Sequence, residues 1–143
     1  MKIPGKDYFS NNEVLFIGYS SKPASFAQRV YDAFVKSGIK VYPVNVKKSP
    51  AYNVKVYNSL DELPKVPVCA YILLNSDNTA KAVESLKGSG VRKVMFQSSK
   101  TVDESTLNAC REMNMEVSVV CPMMILSNSF PHNIHRFFEG LKK

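Results

Sequence analysis

What the chain lacks narrows its class before any motif is considered. No apolar run approaches the roughly 18 to 20 residues of a membrane span, and the opening MKIPGKDYFSNN has no apolar signal core. The expectation is a cytoplasmic protein without a membrane partner. Cysteine is sparse: Cys69, Cys110 and Cys121 are odd in number, lack C-x-x-C spacing and sit in or beside apolar or helical runs. Buried reduced thiols are expected, with no disulfide framework and no metal site. The only histidines, His132 and His135, have no acidic partner at a recognisable spacing. Ser20 lacks the flanks of a nucleophile elbow, and no Tyr-x-x-x-Lys pair occurs. No catalytic residue is assigned, and internal repeats and low-complexity tracts are also missing.

Glycine is scarce where nucleotide fingerprints need it. Residues 18–23 read Gly-Tyr-Ser-Ser-Lys-Pro, which supplies only the first glycine of G-x-G-x-x-G and lacks the second Gly followed by Lys of a P-loop. Acid is missing where a nicotinamide dinucleotide enzyme would place it. After the second expected strand the chain reads Val44-Asn45-Val46-Lys47-Lys48, and two lysines attract a phosphorylated ribose that an Asp or Glu would repel.

What is present is ordinary globular material. The 143 residues, 45% hydrophobic and 22% charged, suit one domain with a real core. The formal net charge of +7 is unevenly spread. Residues 1–55 hold nine basic against three acidic side chains, and the remainder ten against nine. Such asymmetry points to a polyanionic partner, either a phosphorylated small molecule or nucleic acid. Most aromatics fall on strands and core-facing helix positions, which disfavours nucleic acid.

Patterning gives alternating strands and helices. Strands are expected at 14–17, 39–44, 68–74, 93–96 and 116–120, and helices at 25–37, 79–87, 102–113 and 130–141. The first helix places Phe26, Val30, Ala33 and Phe34 on one face and stops at Gly38. Residues 68–74 form the most apolar run and should be a central strand buried on both faces. Residues 49–67 are an elaborated connection, with an extended piece at 54–57 and a turn of helix capped by Ser59. The fold class is α/β: a Rossmann-like three-layer sandwich around a parallel sheet of five or six strands, with a loose arm, or at most one turn of helix, at 1–12 and the domain at 13–143.

In such a sheet the carboxyl end of the first strand is the usual ligand site, where backbone N–H groups and the positive end of a helix dipole face an anion. The stretch 18–29 is therefore read as the phosphate loop. Its candidate contacts are Gly18, Tyr19, Ser20, Ser21, Lys22, Ser25, Phe26 and Arg29, and Lys47 and Lys48 are candidates for a ribose phosphate. A β-branched residue at 18 is expected to block the ligand and leave the protein folded. The ligand class is a nucleotide-like small molecule carrying a phosphate on its ribose, coenzyme A or NADP.

The runs VLFIGYSSKPASFAQRVYDAFVKSGIKVYPVN, VYNSLDELP, VCAYILLN, VRKVMFQSS and MEVSVVCPMM follow one another in this order. Together they resemble the small single-domain CoA-binding proteins, related to the CoA-binding domain of succinyl-CoA synthetase and ADP-forming acyl-CoA synthetases. The resemblance implies non-catalytic binding of CoA or an acyl-CoA. It implies a pyrophosphate near Gly18, Ser20, Ser21 and Lys22, and a nucleotide end near Val44, Asn45 and the loop after them. It also implies contacts at the strand ends Leu74-Asn75 and Gln97-Ser98. The chain departs from the family's usual Gly at Ala27, Pro at Val46 and Gly near Ser98-Ser99.

Overall fold

The computed structural model describes residues 5–20, 25–45 and 54–126. The expected helix at 130–141 with His132 and His135, and the candidates Ser21, Lys22, Lys47 and Lys48, lie outside the described residues.

Among the described residues five parallel strands form one sheet: β1 (Glu13–Ile17), β2 (Lys40–Val44), β3 (Cys69–Ile72), β4 (Lys93–Phe96) and β5 (Glu116–Val119). The helices are α1 (Phe26–Lys36), α2 (Ser76–Ser85), α3 (Glu104–Glu112) and the short α4 (Met123–Leu126). Strand order is β2-β1-β3-β4-β5. The chain runs from β1 to one flank, then returns to build the other, so its direction reverses between β1 and β3. That reversal is the switch point at which doubly wound sheets bind ligands.

Period-two alternation divides the side chains of each strand between two cores. Leu15, Ile17, Ala70, Ile72, Val94 and Phe96 join Val83, Leu86 and Cys110 from the α2–α3 layer. Val14, Phe16, Cys69, Tyr71 and Met95 join Ala27, Val30 and Phe34 of α1 on the other face. The α1 face is aromatic. Phe16 meets Tyr71 edge-on at 5.0 Å, and Phe34 meets Phe9 at 5.2 Å. Phe16 is fully buried, and its truncation to Ala is expected to cost about 3 to 5 kcal/mol.

Four local expectations change. Phe26 is more than a third exposed, because the buried stripe of α1 runs through Ala27, Val30 and Phe34, one residue further round. The second helix begins three residues earlier than its apolar pattern, at Ser76. Asn75 caps it, accepting the Asn78 N–H at 2.9 Å, so the polar run that reads as a loop is helix-start chemistry. Ser59 makes no side-chain cap to the 3-10 turn Leu60–Glu62. Glu62 instead accepts the Asn58 N–H at 3.1 Å. Finally, Tyr8 and Phe9 of the expected loose arm are buried within the α1 core, held between 3-10 turns at Lys6–Tyr8 and Ser10–Asn12.

The remaining patterns match closely. β3 is the middle strand, buried along its whole length. Pro43 sits inside β2, which is tolerated because β2 borders the sheet and needs no ladder N–H there. Its carbonyl accepts the Tyr57 N–H, and this single bridge is all the sheet pairing that the extended piece at 54–57 contributes among the described residues. Cys69 and Cys110 are buried and Cys121 is half-buried, all as free thiols.

Candidate functional site

The site begins with β1 running into Gly18. The Gly18 N–H donates to the Val44 carbonyl at 2.8 Å, and the Leu73 N–H donates to Ile17 at 2.9 Å, so the ends of β1, β2 and β3 stay stitched together past the last ladder residue. Gly18 has φ +99°, and a Cβ built on it would lie 2.2 Å from the Leu73 carbonyl oxygen. Only glycine meets both conditions. The requirement is therefore set by the neighbouring strand, inside the protein.

Tyr19 turns inward. It is fully buried, with Phe16 edge-on at 5.6 Å, and its hydroxyl donates to Gln28 at 3.2 Å. Asn45 then ties the loops together. Its side-chain amide donates to the Tyr19 carbonyl at 2.9 Å, its N–H donates to Tyr57, and its carbonyl accepts from the Asn58 side chain at 2.9 Å. One residue after β2 thus fixes the loop after β1 and the segment after residue 57. Ser25 caps α1 by accepting the Gln28 N–H at 3.2 Å, which leaves the helix start beside the loop.

These elements enclose a cavity of about 470 Å³. Ile17, Val44, Leu60, Leu74 and Ala82 give it apolar walls, and Gly18, Asn45, Asn58, Ser59, Asp61, Asn78, Lys81 and Ser85 supply polar groups. Apolar walls that also carry polar groups able to fix an orientation suit a small-molecule pocket of this size.

The sequence candidates divide around this cavity. Gly18, Val44, Asn45 and Leu74 line it. Ser20 and Ser25 are half-buried along the loop, and Phe26 and Arg29 are exposed on the first turns of α1. Asn75 is occupied as the cap of α2. Gln97 and Ser98 lie beyond the cavity at the end of β4. Gln97 accepts the Tyr71 hydroxyl at 2.5 Å, and Ser98 closes a turn with Lys100 and Thr101. Burial holds the Tyr71 phenol far above its ordinary pKa, so it remains a neutral donor to Gln97.

Nine lining residues were not signalled as contacts. Ile17 was read only as the end of the first strand, Asn58, Ser59, Leu60 and Asp61 only as part of the run VYNSLDELP with its helical turn, and Lys81, Ala82 and Ser85 only as helix, while Asn78 joins them through the early start of α2. Had Asn75 been taken as a cap, helix spacing would have placed Asn78, Lys81, Ala82 and Ser85 on one stripe. No group of three or more His, Cys, Asp or Glu is placed to hold a metal among the described residues. Among them, too, no helix is long and apolar enough to cross a membrane.

Comparison with known proteins agrees with this fold. The fold resembles a hypothetical protein from Pyrococcus horikoshii at 25% identity and TM-score 0.69, over 77% of this chain and 78% of that one. It also resembles a conserved hypothetical protein from Pyrococcus furiosus, at 22% identity and TM-score 0.65 over 74% and 90% of the two chains. A third similar structure, a protein redesigned for binding, has 21% identity and TM-score 0.73 over 94% and 89%. No curated protein matches. The family model for the CoA binding domain matches residues 12–127, from just before β1 to just after α4, and on that match the chain belongs to the CoA-binding domain family.

Proposed function

We propose that the protein binds coenzyme A or an acyl-CoA in the cytoplasm, at the carboxyl ends of its strands, and carries out no reaction on it. The observation that carries this reading is the coincidence of a 470 Å³ cavity with the β1/β3 switch point, in a chain that matches the CoA binding domain from residue 12 to 127. The cavity receives the nucleotide end. The pyrophosphate lies along the loop through Ser20, Ser21 and Lys22 to the start of α1, where the helix dipole and Arg29 favour an anion. Lys47 and Lys48 meet the ribose phosphate.

The non-catalytic half of the reading rests on the side chains that line the cavity. Asp61 and Lys81 are the ionisable groups among them, and among the described residues neither is hydrogen-bonded to a Ser, Cys or His as an activated nucleophile requires, the Ser85 hydroxyl donating to the Ala82 carbonyl. Native mass spectrometry of the purified protein tests the assignment. A retained mass equal to CoA or an acyl-CoA supports it, and a retained nicotinamide dinucleotide would replace it with an NADP-linked reductase.

A further inference from the structure

The cavity carries two opposite charges, and they come from different elements. Asp61 belongs to the 3-10 turn Leu60–Glu62, and Lys81 belongs to α2. Both residues are exposed, and neither takes part in an ion pair among the described residues, where the salt bridges are Lys65–Glu13 and Arg111–Glu104. The fold therefore makes no visible use of either charge. Around them the lining is largely apolar or neutral, so these two groups dominate the local field.

We infer that Asp61 and Lys81 orient the nucleotide end of the ligand, Lys81 adding a cation for the ribose phosphate to those of the proposed function and Asp61 receiving hydrogen-bond donors of the base and sugar. This rests on the reading that the cavity takes the nucleotide end of CoA. An acid on the 3-10 turn repels a phosphate and attracts N–H and O–H donors, and a lysine on α2 does the reverse. A ligand with an anionic ribose and a donor-bearing base then fits in one direction only. The division of labour has a signature that a diffuse basic surface lacks. Lys81 acts on the difference between CoA and dephospho-CoA, whereas Asp61 acts on the part they share.

Calorimetric titration of the full chain with CoA and dephospho-CoA, using Lys81→Gln, Lys81→Arg and Asp61→Asn, tests this. Lys81→Gln is expected to weaken CoA about tenfold, the low end for a charge-assisted hydrogen bond at a salt-screened site, and to leave dephospho-CoA unchanged. Lys81→Arg should keep most of the CoA affinity, and Asp61→Asn should weaken both ligands by the same factor. Both positions are exposed, so melting curves of the variants should overlay that of the parent. Equal losses for the two ligands in Lys81→Gln, no loss in either, or a changed ratio in Asp61→Asn overturns the inference and leaves the CoA reading standing. A parent chain that binds neither ligand removes the CoA reading itself and this inference with it.

Discussion

The carbonyl oxygen of Leu73 occupies the place where a side chain on Gly18 would begin, 2.2 Å from an ideal Cβ. The residue that follows β3 thus reaches across the switch point and presses on the turn that ends β1. The position also has a positive φ, which costs an L-residue about 1 to 2 kcal/mol before any clash is counted. Gly18→Val is therefore a fold mutation as well as a site mutation, contrary to what the motif alone implies. Gly18→Ala is expected to lower unfolding stability by at least about 2 kcal/mol, and urea denaturation would measure it. A variant with an unshifted midpoint would mean that Leu73 moves freely and that the turn is looser than described.

Asn45 is expected to act through the loops it joins. Asn45→Ala removes the bond to the Tyr19 carbonyl, which should cost about 1 kcal/mol of stability and weaken ligand binding together, because the loop after β1 loses its brace. Denaturation and titration of the same variant check both. Weaker binding at unchanged stability would make Asn45 a direct ligand contact.

Lys47→Ala with Lys48→Ala should weaken CoA more than dephospho-CoA, by about tenfold, since exposed lysines are screened by salt. Competition binding at fixed ionic strength reads the ratio. Equal losses would detach these lysines from the ribose phosphate, and no loss would make them a solvated face. Nucleic-acid binding would show itself by a steep salt dependence and by indifference to which two lysines are removed.

Asp103 gives a pH prediction away from the site. It caps α3 by accepting the Thr106 N–H at 2.8 Å, and its hydrogen bonds with Thr106 lower its pKa below the ordinary carboxylate value. A depressed folded-state pKa contributes stability above the unfolded carboxyl's pKa, and this is lost as pH falls through the folded value. Asp103→Ala should melt below the parent at pH 7, with the gap closing in the acid range. Asp103→Asn caps without titrating, so its offset from the parent should be smaller at neutral pH. A gap for Asp103→Ala that is constant down to acid pH would refute the carboxylate's role.

The layers and the alternation of strands with helices were largely legible because each depends on patterning that the chain repeats. Residues 68–74 read as a central strand from apolar continuity alone, and β3 is central. The misses have local causes. Phe26 fits the helical period, yet a first-turn residue one step off the buried stripe stays at the surface. Tyr8 and Phe9 sit among turn residues whose chemistry says nothing of the core they enter. The inward turn of the Tyr19 side chain depends on the packing of Phe16, Tyr31 and Gln28 around it, which no local pattern shows. Asp61 and Lys81 meet at one cavity through tertiary arrangement, 20 positions apart in sequence, and no spacing rule brings such a pair together.

Titration calorimetry of the full chain with CoA, followed by recovery of the ligand, tests the central claim most directly, with NADP and NAD as comparison ligands. Saturable one-to-one binding of CoA, recovered chemically unchanged, with weaker binding of NADP and least of NAD, is the predicted result. NADP binding more tightly than CoA, no binding of CoA at all, or recovery of an altered ligand would contradict it.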